Sequence, residues 1–311
     1  MQCESLVLCE RAGRAVTLSG YRLGDSAEFQ HGQCRPAVLI CPGGGYLRTS
    51  DREAEPVALR FAAQGFHAFV LRYSTLYADQ QAMSRDADRH PDSCWPVPLY
   101  DLALAMRTLH QQAASWQLDR SRIVVCGFSA GAHLAASLGT QWSSPALQQM
   151  SGASAEMLRP AALVLGYGVL DYPEIARWVQ GLPADPALMQ LCALSNVALF
   201  GAAHPTPAQL QAVSPAHQVS ALTPPSFLWH TANDGRVPAS CSLRFALALA
   251  EAGVPYELHL YAEGVHGLAL ADETTQQHAA QWNPACQGWF SLLVAWLRQR
   301  GLTGARECEV D

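Results

Sequence analysis

The chain has 311 residues, a formal net charge of -6 and 50% apolar residues, so it can bury a large core and lacks the cationic surplus of a nucleic-acid binder. It contains no lysine: all 20 cationic side chains are arginine, which excludes a Schiff-base lysine and the phosphate-binding lysine of a P-loop. No apolar run reaches the roughly 18 residues of a membrane span, so no membrane partner is expected. The N-terminal "MQCESLVLCERAGRAV" has no basic segment followed by an apolar one, so no secretion signal is expected. The 10 cysteines are scattered without a C-x-x-C pair, several of them in apolar runs. Free thiols in a reducing cytoplasm fit that usage.

Strand and helix patterns alternate along the chain. Ala15–Leu23 and Pro36–Cys41 read as strands, Arg52–Gln64 as a helix and Phe66–Tyr73 as a strand. Val97–Trp116 has apolar residues at helical spacing, Arg122–Cys126 is a β-branched run, and Ala130–Thr140 is a helix of small residues. Ala161–Gly166, Ser226–His230 and Tyr256–Tyr261 are further strands, with Cys241–Ala252 and Gln287–Arg300 as helices. This alternation predicts a single α/β domain, its mostly parallel sheet covered by helices on both faces. Ser74–Pro96 and Asp171–Pro225 break the rhythm and are expected to be insertions, lids or caps over one end of the sheet.

Two glycine-rich turns follow strands. "CPGGGY" closes the strand Pro36–Cys41, and "CGFSAGAH" places Gly127-Phe128-Ser129-Ala130-Gly131 between a strand and a helix. The second is the strand–turn–helix setting of a nucleophile elbow, where a sharp turn exposes the serine hydroxyl. A plain turn with a serine N-cap is the alternative.

A serine nucleophile needs a base, and in such sheets the partners follow in the order Ser, acid, His. The loop after Ser226–His230 holds Asp234, and the loop after Tyr256–Tyr261 holds His266. His266 is the expected base and Asp234 its orienting acid; Asp171, after another strand, is the rival acid. His133, one helical turn past Ser129, and His230 and His259, inside strands, fit structural roles better. There is no H-E-x-x-H and no Cys/His cluster with zinc spacing, so neither a metal nor another cofactor is expected.

The triple glycine then acquires a purpose. Gly44 and Gly45, with Ala130 after the nucleophile, are the expected amide donors of an oxyanion hole. "CPGGGY", "DREAEPVALRF", "GFSAGAHLAASLGT", "FLWHTANDGRVP" and "YAEGVHGLAL" together resemble the α/β-hydrolase superfamily. Within it the chain is most similar to bacterial acetyl-xylan/feruloyl esterases and hormone-sensitive-lipase-like esterases. The resemblance spans about residues 36–300 and implies an eight-stranded, mostly parallel sheet and a Ser-His-Asp triad. Pro42 stands where many lipase-like members carry histidine before the glycines, which argues against the hormone-sensitive-lipase branch.

The resulting expectation is a cytoplasmic serine carboxylesterase acting on short acyl esters of small molecules. Its oligomeric state is open, with a homo-oligomer among the options. Tyr46, Phe128, Trp178, Phe200 and Trp282 are the candidate substrate-contacting side chains, with ordinary core packing as the alternative for the aromatics. An amide or peptide hydrolase, formamidase-like or prolyl-peptidase-like, and a non-catalytic binding protein on the same fold are the competing readings.

Overall fold

The structure, a computed structural model, describes residues 1–28, 31–84, 89–90, 92–183 and 185–308. Strand β1 (Gln2–Arg11) and strand β2 (Arg14–Arg22) form an antiparallel hairpin. Ala12 and Gly13 close it, both at positive φ (44° and 77°), as a two-residue hairpin turn requires. Next come β3 (Gln33–Cys41), α1 (Glu55–Ala62) and β4 (His67–Arg72). They are followed by α2 (Val97–Gln111), α3 (Ala113–Trp116), β5 (Leu118–Phe128) and α4 (Ala130–Gln141). Then α5 (Pro145–Ser151), α6 (Ala155–Leu158) and β6 (Ala162–Gly166) lead into α7 (Tyr172–Gln180), α8 (Pro186–Phe200) and α9 (Pro207–Ala212). The chain ends with β7 (Ser226–Thr231), α10 (Ser240–Glu251), β8 (Tyr256–Tyr261), α11 (Trp289–Gln299) and the short β9 (Arg306–Glu307).

The strands lie in the order β1-β2-β4-β3-β5-β6-β7-β8, parallel from β4 to β8 and antiparallel at β1 and β2. This is the α/β-hydrolase arrangement expected from the motifs. Because side chains alternate along a strand, β3 and β5 feed two separate cores. Leu39, Cys41, Ile123 and Val125 pack with α2, α4 and α10 on one face. Val38, Ile40, Val124, Cys126 and Phe128 pack with α1 and α11 on the other. β3, β4, β6 and β7 are buried on both faces and so read as nearly continuous apolar runs, whereas the edge strand β8 is partly exposed and alternates with Glu257 and His259.

The expected insertions lie on either side of α2 and β6. Residues 171–225 contain α7, α8 and α9. In the segment 74–96, Leu76 and Tyr77 donate backbone hydrogen bonds to the Tyr46 and Leu47 carbonyls, and Trp95 donates to Leu199 of α8. Residues 85–88 and 91 of this segment lie outside the described residues.

The reading of the cysteines as free thiols is corrected for two of them. Cys34 and Cys308 form a disulfide across a sequence separation of 274. β9 pairs antiparallel with the start of β3, Cys34 opposite Arg306, and so brings the two sulfurs together. No spacing motif announces a bridge made by such a long-range pairing. The cytoplasmic expectation, which leaned on free thiols, loses that support. No helix among the described residues is long and apolar enough to cross a membrane.

Candidate active site

β3, β5, β7 and β8 run parallel, so the loops leaving their C-terminal ends meet along one edge of the sheet. Ser129 follows β5 at φ 53°, a conformation unusual for a residue with a Cβ, and its amide donates to the Gly166 carbonyl at 2.9 Å. The turn is possible because α4 begins against bare backbone: a Cβ at Gly131 would overlap the Cys41 carbonyl. Here glycine is required by close approach.

The Ser129 hydroxyl donates to His266 Nε2 at 2.8 Å. His266 Nδ1 donates to Asp234 Oδ2 at 2.7 Å, because a carboxylate can only accept. Asp234 Oδ1 in turn accepts from the Arg236 and Val237 amides at 2.8 and 3.0 Å. The Asp234 side chain is wholly buried. Burial alone would raise its pKa, but the His266 charge and hydrogen bonds from His230 and His266 outweigh that and hold the carboxyl well below the usual carboxylate range. His230, in β7, was expected to be a structural histidine. Its Nε2 faces both the Val237 carbonyl at 3.1 Å and Asp234 Oδ2 at 3.4 Å, while Ser242 bonds its Nδ1 at 2.8 Å. The His266 loop is pinned by Arg52, which donates to the Gly267 and Thr275 carbonyls. Asp171, the rival acid, caps α7 through the Glu174 amide and lies 3.3 Å from His217.

The glycine loop faces this relay. Gly44 and Gly45 have φ of 129° and 66°, and a Cβ on Gly44 would overlap the Arg48 carbonyl. Gly43 N–H is occupied by Glu53 Oε2 at 2.7 Å, but among the described residues the Gly44, Gly45 and Ala130 amides donate to no protein acceptor. The loop is braced from every side. Glu53 Oε1 accepts from Tyr167 Oη at 2.7 Å, Tyr73 Oη donates to the Pro42 carbonyl at 2.6 Å, and Ser195 of α8 donates to the Gly45 carbonyl at 2.9 Å. Sequence reasoning missed Glu53 and Ser195; one acid among several, in a short turn between Asp51 and Glu55, and a serine in an apolar helix carry no local signal.

The five aromatic candidates do not form the wall of the cavity above Ser129, and those expectations are corrected. Tyr46 is buried beneath the glycine loop, its hydroxyl bonded to His133 Nδ1 at 2.6 Å. Phe128 shares strand parity with Val124 and Cys126 and packs on the opposite face of the sheet against Tyr167 and Trp289. Phe200 packs edge-on to Tyr172, and Trp282 is 48% exposed past a short helical turn. Trp178 is half-buried off the wall, while α7 presents Ile175 and Val179 to the cavity. The cavity, about 930 Å³, is roofed by Leu188, Leu191 and Cys192 of α8, and Ser129, His266, Gly44 and Gly45 line it. No group of His, Cys, Asp and Glu side chains suited to a metal ion occurs among the described residues.

Known proteins share this architecture. The carboxylesterase Cest-2923 from Lactobacillus plantarum WCFS1 superposes with a TM-score of 0.77 at 30% identity, over 98% of this chain and 100% of that one. The acetyl ester-xyloside bifunctional hydrolase from Caldicellulosiruptor lactoaceticus superposes with a TM-score of 0.74 at 30% identity, over 97% of each chain. Endo-1,4-beta-xylanase B of Butyrivibrio fibrisolvens is 31% identical over 244 residues, 77% of this chain and 33% of that protein. Esterase LipQ of Mycobacterium tuberculosis is 27% identical over 242 residues, 78% of this chain and 51% of that protein. The chain thus spans about a third to a half of the length of these two curated relatives. Residues 27–249, which carry the glycine loop, the elbow and the acid loop, match the BD-FAE family, and the chain is a member of that family.

Proposed function

We propose that the chain is a serine carboxylesterase that hydrolyses acetyl-type esters of small molecules through Ser129, His266 and Asp234. The observation that carries this reading is the 2.8 Å and 2.7 Å relay from Ser129 to Asp234 at a cavity that Gly44 and Gly45 also line, with the Gly44, Gly45 and Ala130 amides lacking a protein acceptor among the described residues. The relatives named as an acetyl ester hydrolase and a carboxylesterase support the substrate class.

In this mechanism Ser129 Oγ attacks the ester carbonyl carbon as its proton passes to His266 Nε2. The carbonyl oxygen becomes an oxyanion facing the Gly44, Gly45 and Ala130 amides; one such donor contributes about 3–4 kcal/mol of transition-state stabilisation. The intermediate collapses, the carbon–oxygen bond to the alcohol breaks, and the alcohol leaves with the proton from His266. Water then attacks the acyl-enzyme by the same route, giving the free acid and restoring the Ser129 hydroxyl. Asp234 stays ionised throughout and stabilises the imidazolium formed in each half-reaction.

Ser129→Ala is expected to abolish hydrolysis of p-nitrophenyl acetate while leaving the melting temperature close to that of the wild type. The wild type should cleave that ester much faster than p-nitroacetanilide. A Ser129→Ala protein that still turns over the ester would overturn the assignment. Faster anilide cleavage would favour the amide-hydrolase alternative.

A further inference from the structure

The cavity over Ser129 is walled by four arginines, Arg48, Arg52, Arg177 and Arg236, against a single carboxylate, Glu53. That is a cationic chamber in a chain of net charge -6. Glu53 does not neutralise it, since its two oxygens accept from Gly43 and Tyr167. Arg177 is paired with Glu174. The other three arginines have no carboxylate partner among the described residues. Arg52 is held by two backbone carbonyls, and Arg48 reaches only the Thr49 carbonyl at 3.4 Å. The exposed Arg236 has no side-chain partner among the described residues; it also borders a second cleft, of about 570 Å³, that His266 lines as well. Elsewhere some arginines are paired with a carboxylate, as in Arg11–Asp101, Arg22–Glu4 and Arg122–Asp119, and others, such as Arg107 and Arg306, are held by backbone carbonyls. The Arg236 charge is also felt across the cavity at Cys192 of α8: burial raises that thiol's pKa and Arg236 opposes the rise.

Unpaired guanidinium groups facing one enclosed space attract an anion and, being planar and weakly hydrated, suit a carboxylate in particular. Arg48 and Arg236 come from separate loops, after β3 and after β7. The wall therefore offers single guanidinium contacts rather than a cradle for the several oxygens of a phosphate. Resting on the serine-esterase reading above, we propose that the preferred substrates are esters bearing a carboxylate of their own, which Arg48 or Arg236 holds while Ser129 attacks the ester carbonyl. The carboxylate can belong to the acyl part or to the alcohol part; the chemistry of recognition is the same.

Two substrate pairs separate these sources. Monophenyl succinate against phenyl butyrate places the charge on the acyl side, and 4-acetoxybenzoate against 4-acetoxybenzamide places it on the alcohol side. The wild type is expected to favour the anionic member of at least one pair about tenfold in kcat/KM, in line with one partly desolvated ion pair. High salt, or the Arg48→Gln/Arg236→Gln double variant, should bring that ratio close to one. Ratios at or below one in both pairs, or a preference that the double variant retains, would overturn the proposal. A binding measurement keeps it apart from the reading on which it rests. By calorimetry, Ser129→Ala should bind the anionic member of the favoured pair about tenfold more tightly than the neutral one. Wild type that cleaves none of the four esters removes the esterase reading; equal binding of both members in both pairs removes the charge proposal.

Discussion

At Asp234 a carboxylate is taken wholly out of water and compensated by two backbone amides and two imidazoles. Asparagine there keeps the shape but cannot accept His266 Nδ1–H in the same way while stabilising an imidazolium. Asp234→Asn is therefore expected to lower kcat by several orders of magnitude with little change in KM. Asp171→Asn should leave kcat within a few-fold, because asparagine also caps the first turn of α7. Steady-state kinetics of the two variants on one ester would check both, and a reversed order would exchange the acids. The positions of these side chains were readable in the sequence because a serine elbow, an acid and a histidine each sit just past a strand in a recognisable order. His230 was read only as structural, since a strand histidine shows nothing of what it faces across a turn. The aromatic candidates misled for a different reason. Size and apolarity mark a residue for burial, but Phe128 and Tyr46 are separated from the cavity by strand parity and by the depth of a loop, which residue type does not encode.

The loop after β3 acts as an element only because others hold it. Tyr46 sits at φ 60° just past the glycines, and its hydroxyl reaches His133 Nδ1 of α4 at 2.6 Å; His133 Nε2 in turn donates to the Val213 carbonyl at 2.6 Å. This strut links the glycine loop to α4, the helix that follows Ser129. Tyr46→Phe leaves His133 Nδ1 buried without a partner, at a cost of about 1–3 kcal/mol. The expected outcome is a lower melting temperature together with a fall in kcat that exceeds any change in KM, as the amides lose their fixed aim. Unchanged kcat in a destabilised variant would assign Tyr46 to stability alone. The sequence displayed both ends of the strut but not the strut. The spacing of Ser129 and His133 placed the histidine in packing, and nothing local tied it to a tyrosine 87 residues earlier. Cap helix α8 was hidden in the same way: it is so evenly apolar that its contact with Gly45 through Ser195 has no amphipathic signature.

Across the whole molecule, acid should weaken the fold in two windows. Burial lowers the pKa of His133 from 6.5 to about 4, and burial with nearby Arg35 and Arg22 does the same at His67. The unfolded chain therefore binds protons that the folded chain refuses. The stability is complete above about pH 6.5 and falls as pH drops towards 4, on the order of 3 kcal/mol for the fully buried His133. The depressed Asp234 adds stability that is present above the ordinary carboxylate range and is lost only in stronger acid. Melting temperature against pH should be level in the neutral range and decline between about 6.5 and 4; the decline should shrink in His133→Gln. A level curve through that interval would refute the assignment.

The disulfide acts on the same scale and at the opposite end of the sheet. Cys34 lies at the start of β3, whereas the glycine loop follows the end of that strand, so the bridge fastens the C-terminal strand β9 away from the site. The hydrophobic pattern displayed the parallel strands but not β1, and β9 has two residues and no periodicity, so the bridge exists only because that pairing forms. Closing so long a loop restricts the unfolded chain, by up to about 5 kcal/mol in the chain-entropy account. Arg122, which donates to the Gly304 carbonyl at 2.6 Å, holds the same segment without the bridge. Reduction, or Cys34→Ser with Cys308→Ser, is therefore expected to lower the melting temperature by several degrees and to leave kcat at 25 °C unchanged. Calorimetry and ester turnover measured on the same reduced sample would check both. Activity that falls in step with reduction, at a temperature where the chain is still folded, would show that the bridge reaches the site through β3.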